Sequence, residues 1–199
     1  MGSMIEDKIQ KAIEALIGQN SALAKEIMEA DNEVDREQKK IENICFNLLM
    51  QQQPVARDLR VISAAMKMVT DMERIGDHAA DISEMTVLMA SEPYVVDLSD
   101  IKKMASETVL MLIRSIEAYV EKDMLKAQSV IDHDDIVDEL FNKVKQELIE
   151  MIRKNPAVSE QAADMLMVAK YFERIGDHAT NLAELIIFAL DDKKNTMQN

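Results

Sequence analysis

The chain has 199 residues, 48% apolar and 30% charged, with four Gly, three Pro, 16 Met, no Trp and 4% aromatic residues. That mixture can bury a core, which excludes a disordered polymer, and its shortage of turn residues suits a few long helices. A net charge of −14 argues against nucleic acid as a partner, since no basic stripe can neutralise phosphates.

No signal-peptide pattern opens the chain, and no apolar run approaches the ~18 residues of a membrane span. Met1, Gly2 and Ser3 resemble an expression-vector remnant and are left out of the predicted fold, which starts at Met4. From Ile5, the apolar positions Ile5, Ile9, Ala12, Ile13, Leu16 and Ile17 recur at helical spacing. Gly18, Gln19 and Asn20 end that helix, and Asn20 or Ser21 can cap the next. A second pattern runs through Leu23, Ile27, Val34, Ile41, Ile44 and Leu48 to about Gln52. The single cysteine, Cys45, lies among Ile41, Ile44, Leu48 and Leu49, which reads as a buried thiol in a reducing cytoplasm. Pro54 ends this arm and suits the first turn of a third helix, carrying Val55, Leu59, Ile62, Met66 and Val69 and reaching about Ala90.

Ser91, Glu92, Pro93 and Tyr94 read as a linker. A fourth helix carries Ile101, Met104, Val109, Leu112, Ile116 and Val120, and Lys122 with Asp123 breaks it, Asp123 serving as a cap. A fifth passes through Val130, Val137, Leu140, Val144, Leu148 and Ile152 to Asn155 and Pro156; a sixth runs to about Leu190, before a polar tail. The second, third, fifth and sixth helices would each hold ~30 residues, roughly 45–55 Å, and helices that long need partners along their length. The expected fold is all-α: two pseudo-symmetric antiparallel three-helix bundles, residues 4–92 and 93–199. Met66, Met68, Met72, Met165 and Met167 are expected as core filler.

The third and sixth helices carry an identical heptapeptide, Glu73-Arg74-Ile75-Gly76-Asp77-His78-Ala79 and Glu173-Arg174-Ile175-Gly176-Asp177-His178-Ala179. Such a repeat marks an internal duplication, so whatever this motif does is done twice. Residues four apart share a helix face, which pairs Glu73 with Asp77 and Glu173 with Asp177. The preceding arms carry the same spacing in Asp31 with Asp35 and Asp134 with Asp138. Facing residues in an antiparallel hairpin are equidistant from its turn. Asp35 and Glu73, like Asp31 and Asp77, are centred on Pro54. Asp138 and Glu173, like Asp134 and Asp177, are centred between Asn155 and Pro156. Each hairpin should therefore bring four carboxylates to one level, at the rim of its apolar seam, where Gly76, Ala79 and Ala80 leave room.

Four converging carboxylates must protonate or be neutralised, and a hard cation neutralises them directly. Oxygen-only ligation suits Mg, Ca, Mn or Fe better than a structural zinc site. Asp81 could add a ligand one turn on, where its counterpart is Asn181. Arg74 and Arg174 offer the competing reading, in which an arginine satisfies part of each set. His78 and His178 sit about 100° round from the neighbouring Asp and read as outer-sphere or surface groups; His133 has no repeat partner. A Glu-x-x-His pair, a phosphate-cradling glycine loop and a nucleophile–base pair are all missing, so a regulator fits better than an enzyme. A carboxylate-bridged metalloenzyme and a helical accessory subunit of a transporter are the alternatives.

The duplicated heptapeptide, the Asp-x-x-Val-Asp at Asp31 to Asp35 and the run Pro54-Val55-Ala56-Arg57-Asp58-Leu59-Arg60 resemble the PhoU family of phosphate-uptake regulators. The resemblance implies two three-helix bundles holding multinuclear iron, with Mn, Mg or Zn as alternatives, on Asp31, Asp35, Glu73, Asp77, Asp134, Asp138, Glu173 and Asp177. It implies a cytoplasmic negative regulator, a homo-oligomer such as a dimer, that couples the ATPase subunit of a phosphate-specific ABC transporter to a sensor histidine kinase, peripheral at the inner face of the membrane. Three features depart from the family pattern. The first helix is short, as if the amino end were truncated. Asn181 replaces an acid. Arg57 and Arg60 have no counterparts after Pro156, which makes them candidates for an asymmetric partner contact.

Overall fold

The computed structural model describes residues 1–30, 32–51 and 54–191, and every regular element among them is a helix. The order is α1 (Gly2–Ile17), α2 (Ser21–Glu29), α3 (Asn32–Gln51), α4 (Ala56–Met89), α5 (Ser99–Glu121), α6 (Met124–Ile131), α7 (Asp134–Lys154) and α8 (Ser159–Leu190), with a 3-10 turn at Pro156–Val158. The first four pack as one bundle and the last four as its duplicate. With α2 and α3, and α6 and α7, counted as interrupted single arms, this is the expected six-helix plan. The interruptions were invisible to hydrophobic periodicity. The one between α6 and α7 falls at Asp132 and His133, polar side chains that favour turns and caps over helix interiors.

The corners between first and second arms are built alike. Gln19 (φ 46°) and Lys122 (φ 55°) both adopt the left-handed conformation. Asn20 then caps α2 by accepting from the Leu23 amide at 3.1 Å, and Asp123 caps α6 through the Leu125 and Lys126 amides at 2.9 and 3.0 Å. The Gln19 side chain also ties its corner to the end of α4, donating to the carbonyls of Met89 and Glu92 at 3.2 and 2.8 Å.

The most extensive helix contact lies between the halves, where α4 runs along α8, so one apolar core passes through both bundles. The hydroxyls of Ser83, Thr86 and Thr108 are buried there and each donates to the carbonyl one turn back at 2.9 Å, so their burial leaves no orphaned donor. Cys45 is buried as expected, and burial raises its thiol pKa. No described helix is long and apolar enough to cross a membrane.

Three expectations need correction. Met1 to Ser3 belong to the fold: α1 begins at Gly2, which backs onto Ile116, and Met1 packs against the core. Met167 is 43% exposed rather than core, while Met68 and Met165 are buried. At the tip of the first hairpin, Ile44, Leu48, Val55 and Leu59 keep core periodicity yet are exposed by 41% to 67%. Residues Met1 and Gly2 line a shallow apolar pocket with Ile41 and Met68. In the second half, Ile101 of α5 is buried to 2%.

Candidate metal centres

Each carboxylate site is set by a close helix crossing. A Cβ on Gly76 would lie 3.3 Å from Val34 Cγ1, and one on Gly176 would lie 3.4 Å from Val137 Cγ1. Hydrogen in place of a methyl lets the buried valine of each second arm seat against the heptapeptide helix. The acids flanking the valine and the glycine are thereby drawn together, which is the register expected from the sequence.

In the first site, oxygen atoms of Asp35, Glu73 and Asp77 all lie within 4.8 Å of one another. The three side chains are half-buried, and Arg74 stands at their edge, its Nε 3.5 Å from Glu73 Oε2 and its Nη1 donating to Asp77 Oδ2 at 3.1 Å. Asp31, the fourth expected ligand, lies outside the described residues. Asp81 does not join the group. It takes His78 as partner, with Nδ1 and Oδ2 3.0 Å apart. Three oxygen donors and no nitrogen or sulfur fit a hard cation, which would neutralise the acids and pin α3 to α4.

The second site has the same four acids in different company. Lys170, where the first site has Thr70, binds both oxygens of Glu173, and Arg174 lies 3.5 Å from Asp177 Oδ2. Asp134 has a raised pKa, first from burial and then from Asp138, with Asp177 and Asp135 adding to it, while the Thr180 hydroxyl beside it works in the other direction. That hydroxyl, at the place of Ala80, is buried and reaches no partner at hydrogen-bond geometry. Asp177 is also raised, by burial and then Glu173, with Lys170 and Arg174 opposing and Asp138 adding a smaller push. Among the described residues, Asp134, Asp138, Glu173 and Asp177 hold no trio as tight as the first. The donor set suits the same cations, but a lysine already supplies part of the neutralising charge.

The two histidines of the repeat have a place that spacing did not reveal. His78 and His178 stack on each other across the α4–α8 contact, centroids 5.7 Å apart, and His78 also stacks on Tyr171 at 5.6 Å. His178 Nδ1 lies 2.8 Å from Asp71 Oδ1, which also accepts from Asn181 at 3.1 Å. Asn181, expected as a missing ligand, is thus part of the seam between halves. The available signal was the duplication itself, since a residue repeated on two helices that pair about a pseudo-twofold axis can meet its own copy. His133 lies 2.8 Å from Glu107 and steadies the break between α6 and α7. Arg60 is engaged by the end of α8: it donates to the Asp191 carbonyl and lies 5.8 Å over the Phe188 ring.

Comparison with known proteins covers nearly the whole chain. The family described as PhoU domain matches twice, at residues 1–86 and 101–186. The phosphate-specific transport system accessory protein PhoU homolog of Clostridium acetobutylicum is 38% identical over 195 residues, 98% of this chain and 89% of its own. The homolog of the same name from Aquifex aeolicus is 37% identical over 174 residues, 87% of this chain and 79% of its own. The crystal structure of PhoU from Pseudomonas aeruginosa superposes with a TM-score of 0.93 at 30% identity, covering 96% of this chain and 91% of that one.

Proposed function

The chain belongs to the PhoU family, and we propose that it is an accessory protein of a phosphate-specific transport system that uses its two carboxylate sites to hold hard cations. The observation that carries the transport role is likeness along almost the entire length to relatives bearing that name. The metal role is supported by the convergence of Asp35, Glu73 and Asp77, repeated in altered form around Asp134, Asp138, Glu173 and Asp177. In this reading the protein is a regulator at the cytoplasmic face of the membrane, not a catalyst. It contacts the transporter's ATPase subunit and a sensor kinase and lowers phosphate-starvation signalling. A bound cation supplies positive charge that cancels carboxylate repulsion and joins the second arm of each bundle to its third. Arg74 and Arg174 supply a weaker, permanent share of that charge.

Elemental analysis of purified protein beside the Asp77→Ala/Asp177→Ala double variant tests the metal half. Iron, manganese or another divalent metal should be present in the first and depleted in the second, and equal content in both overturns it. Deletion of the coding gene tests the transport half: starvation-responsive genes should come on in phosphate-replete cells, and unchanged expression rejects the regulatory role.

A further inference from the structure

Each carboxylate site lies within one half of the duplication, whereas the histidines of the repeat meet across the contact between halves. His78 and His178 stand 5.7 Å apart, centroid to centroid, with ring planes 29° from parallel. Each ring holds one carboxylate at Nδ1, Asp81 of its own helix for His78 and Asp71 of the opposite helix for His178. The two acids are not copies of one another. Where His178 has Asn181 on its own helix, the acid comes from position 71, whose counterpart is Tyr171, so each ring still keeps one. A carboxylate only accepts, so each neutral ring carries its proton on Nδ1 and a lone pair on Nε2. Neither Nε2 hydrogen-bonds to a described residue and neither is buried, so a ligand can reach both. Asp71 and Asn181 open that approach further, lining a groove of about 510 Å³ beside His178.

Histidines held this way are prepared for a metal ion: an acid at one nitrogen fixes the tautomer and strengthens the other as a donor. An ion about 2.0–2.1 Å from two Nε2 atoms stands roughly 3 Å from each ring centre, which sets the centres about 5–6 Å apart. The observed 5.7 Å fits, so seating an ion turns the rings without parting the helices. Asp71 and Asp81 balance its two positive charges. We propose that His78 and His178 bind one divalent ion of the zinc or nickel class across the α4–α8 seam, with water completing its coordination. Nitrogen donors set this site apart from the carboxylate ones, because imidazole suits Zn, Ni or Cu and oxygen suits Mg, Ca or Mn. The ion ties the two halves together, which neither carboxylate site does. Its binding requires neither the transport role nor a metal at those sites.

Zinc titrated into the full chain, with excess magnesium to occupy the hard-cation sites, is the direct probe, followed by imidazole nitrogen NMR. Nε2 of His78 and Nε2 of His178 should shift together and saturate at one ion per chain, while His133 stays in place. His78→Gln should weaken zinc binding about tenfold or more, and Asp71→Asn about tenfold, because the ring it orients loses its fixed tautomer. The rise in melting temperature that zinc gives the parent should be lost in His78→Gln. Zinc that shifts neither ring or only one, or an affinity that ignores His78→Gln, overturns the proposal. So does a response that disappears in the Asp77→Ala/Asp177→Ala variant, because the zinc then acts from the carboxylates. Should the variants fail to fold, the parent's spectra decide alone.

Discussion

The two acidic sites carry the same seven-residue motif, yet the first is a tight trio of carboxylates with one arginine at its rim, and the second is a looser set with a lysine inside it. Identical first-contact residues thus give different electrostatics, because the neighbours one turn away differ: Thr70 against Lys170, Ala80 against Thr180. The lesson is that an internal duplication copies a donor set more faithfully than it copies the charge that balances it. On the proposed reading the first site would call for an added cation, whereas a lysine already meets part of that need in the second.

The largest effect that would break this comparison is on metal affinity itself. Asp35→Ala should cost the first site about 100-fold, because it removes one of the three donors gathered among the described residues, whereas Asp138→Ala should cost the second less than about tenfold. Competition titration with manganese on the two variants measures both; equal losses would mean the sites are equivalent.

Helix approach comes next. Gly76→Leu drives a side chain into Val34, which already sits 3.3 Å from where a Cβ would be, and should destabilise the protein by about 2 kcal/mol. Adding Val34→Ala should recover part of that loss in chemical denaturation, and Gly176→Leu should respond in the same way to Val137→Ala. Failure of the paired variants to compensate would separate the glycines from the register they are thought to set.

Exchanging the balancing charge sharpens the contrast directly. Lys170→Met should raise affinity at the second site about tenfold, and Thr70→Lys should lower it at the first by a similar factor. The smallest effect concerns pH. Asp134 and Asp177 have folded pKa values raised above the ordinary 3.8, so the metal-free fold binds protons more tightly than the unfolded chain does. Their ionisation costs stability, fully felt above the raised values and relieved as pH falls through them towards the ordinary one. Metal-free protein should therefore gain melting temperature, relative to Asp134→Asn, on acidification through that window, and parallel curves would remove the second site's strain.

Much of the fold and half of the first site were legible in the sequence because both rest on helix periodicity. Asn20 and Asp123 as caps, Cys45 as a buried thiol and the pairing of Asp35 with Glu73 all follow from spacing of 3.6 residues per turn and a hairpin centre. The pairing of Asp81 with His78 was not read from the spacing, which places Asp81 on the acid face of the helix.

What the sequence determined by itself is the duplicated, all-helical plan and the level at which acids meet, since local backbone geometry dictates which residues share a face. Tertiary structure alone decided two things. It stacked His78 on His178, and it set Asp71 of α4 against His178 and Asn181 of α8. Each depends on which helix lies across from which. Those are consequences of packing between elements distant in the chain, and no pattern within one element encodes them.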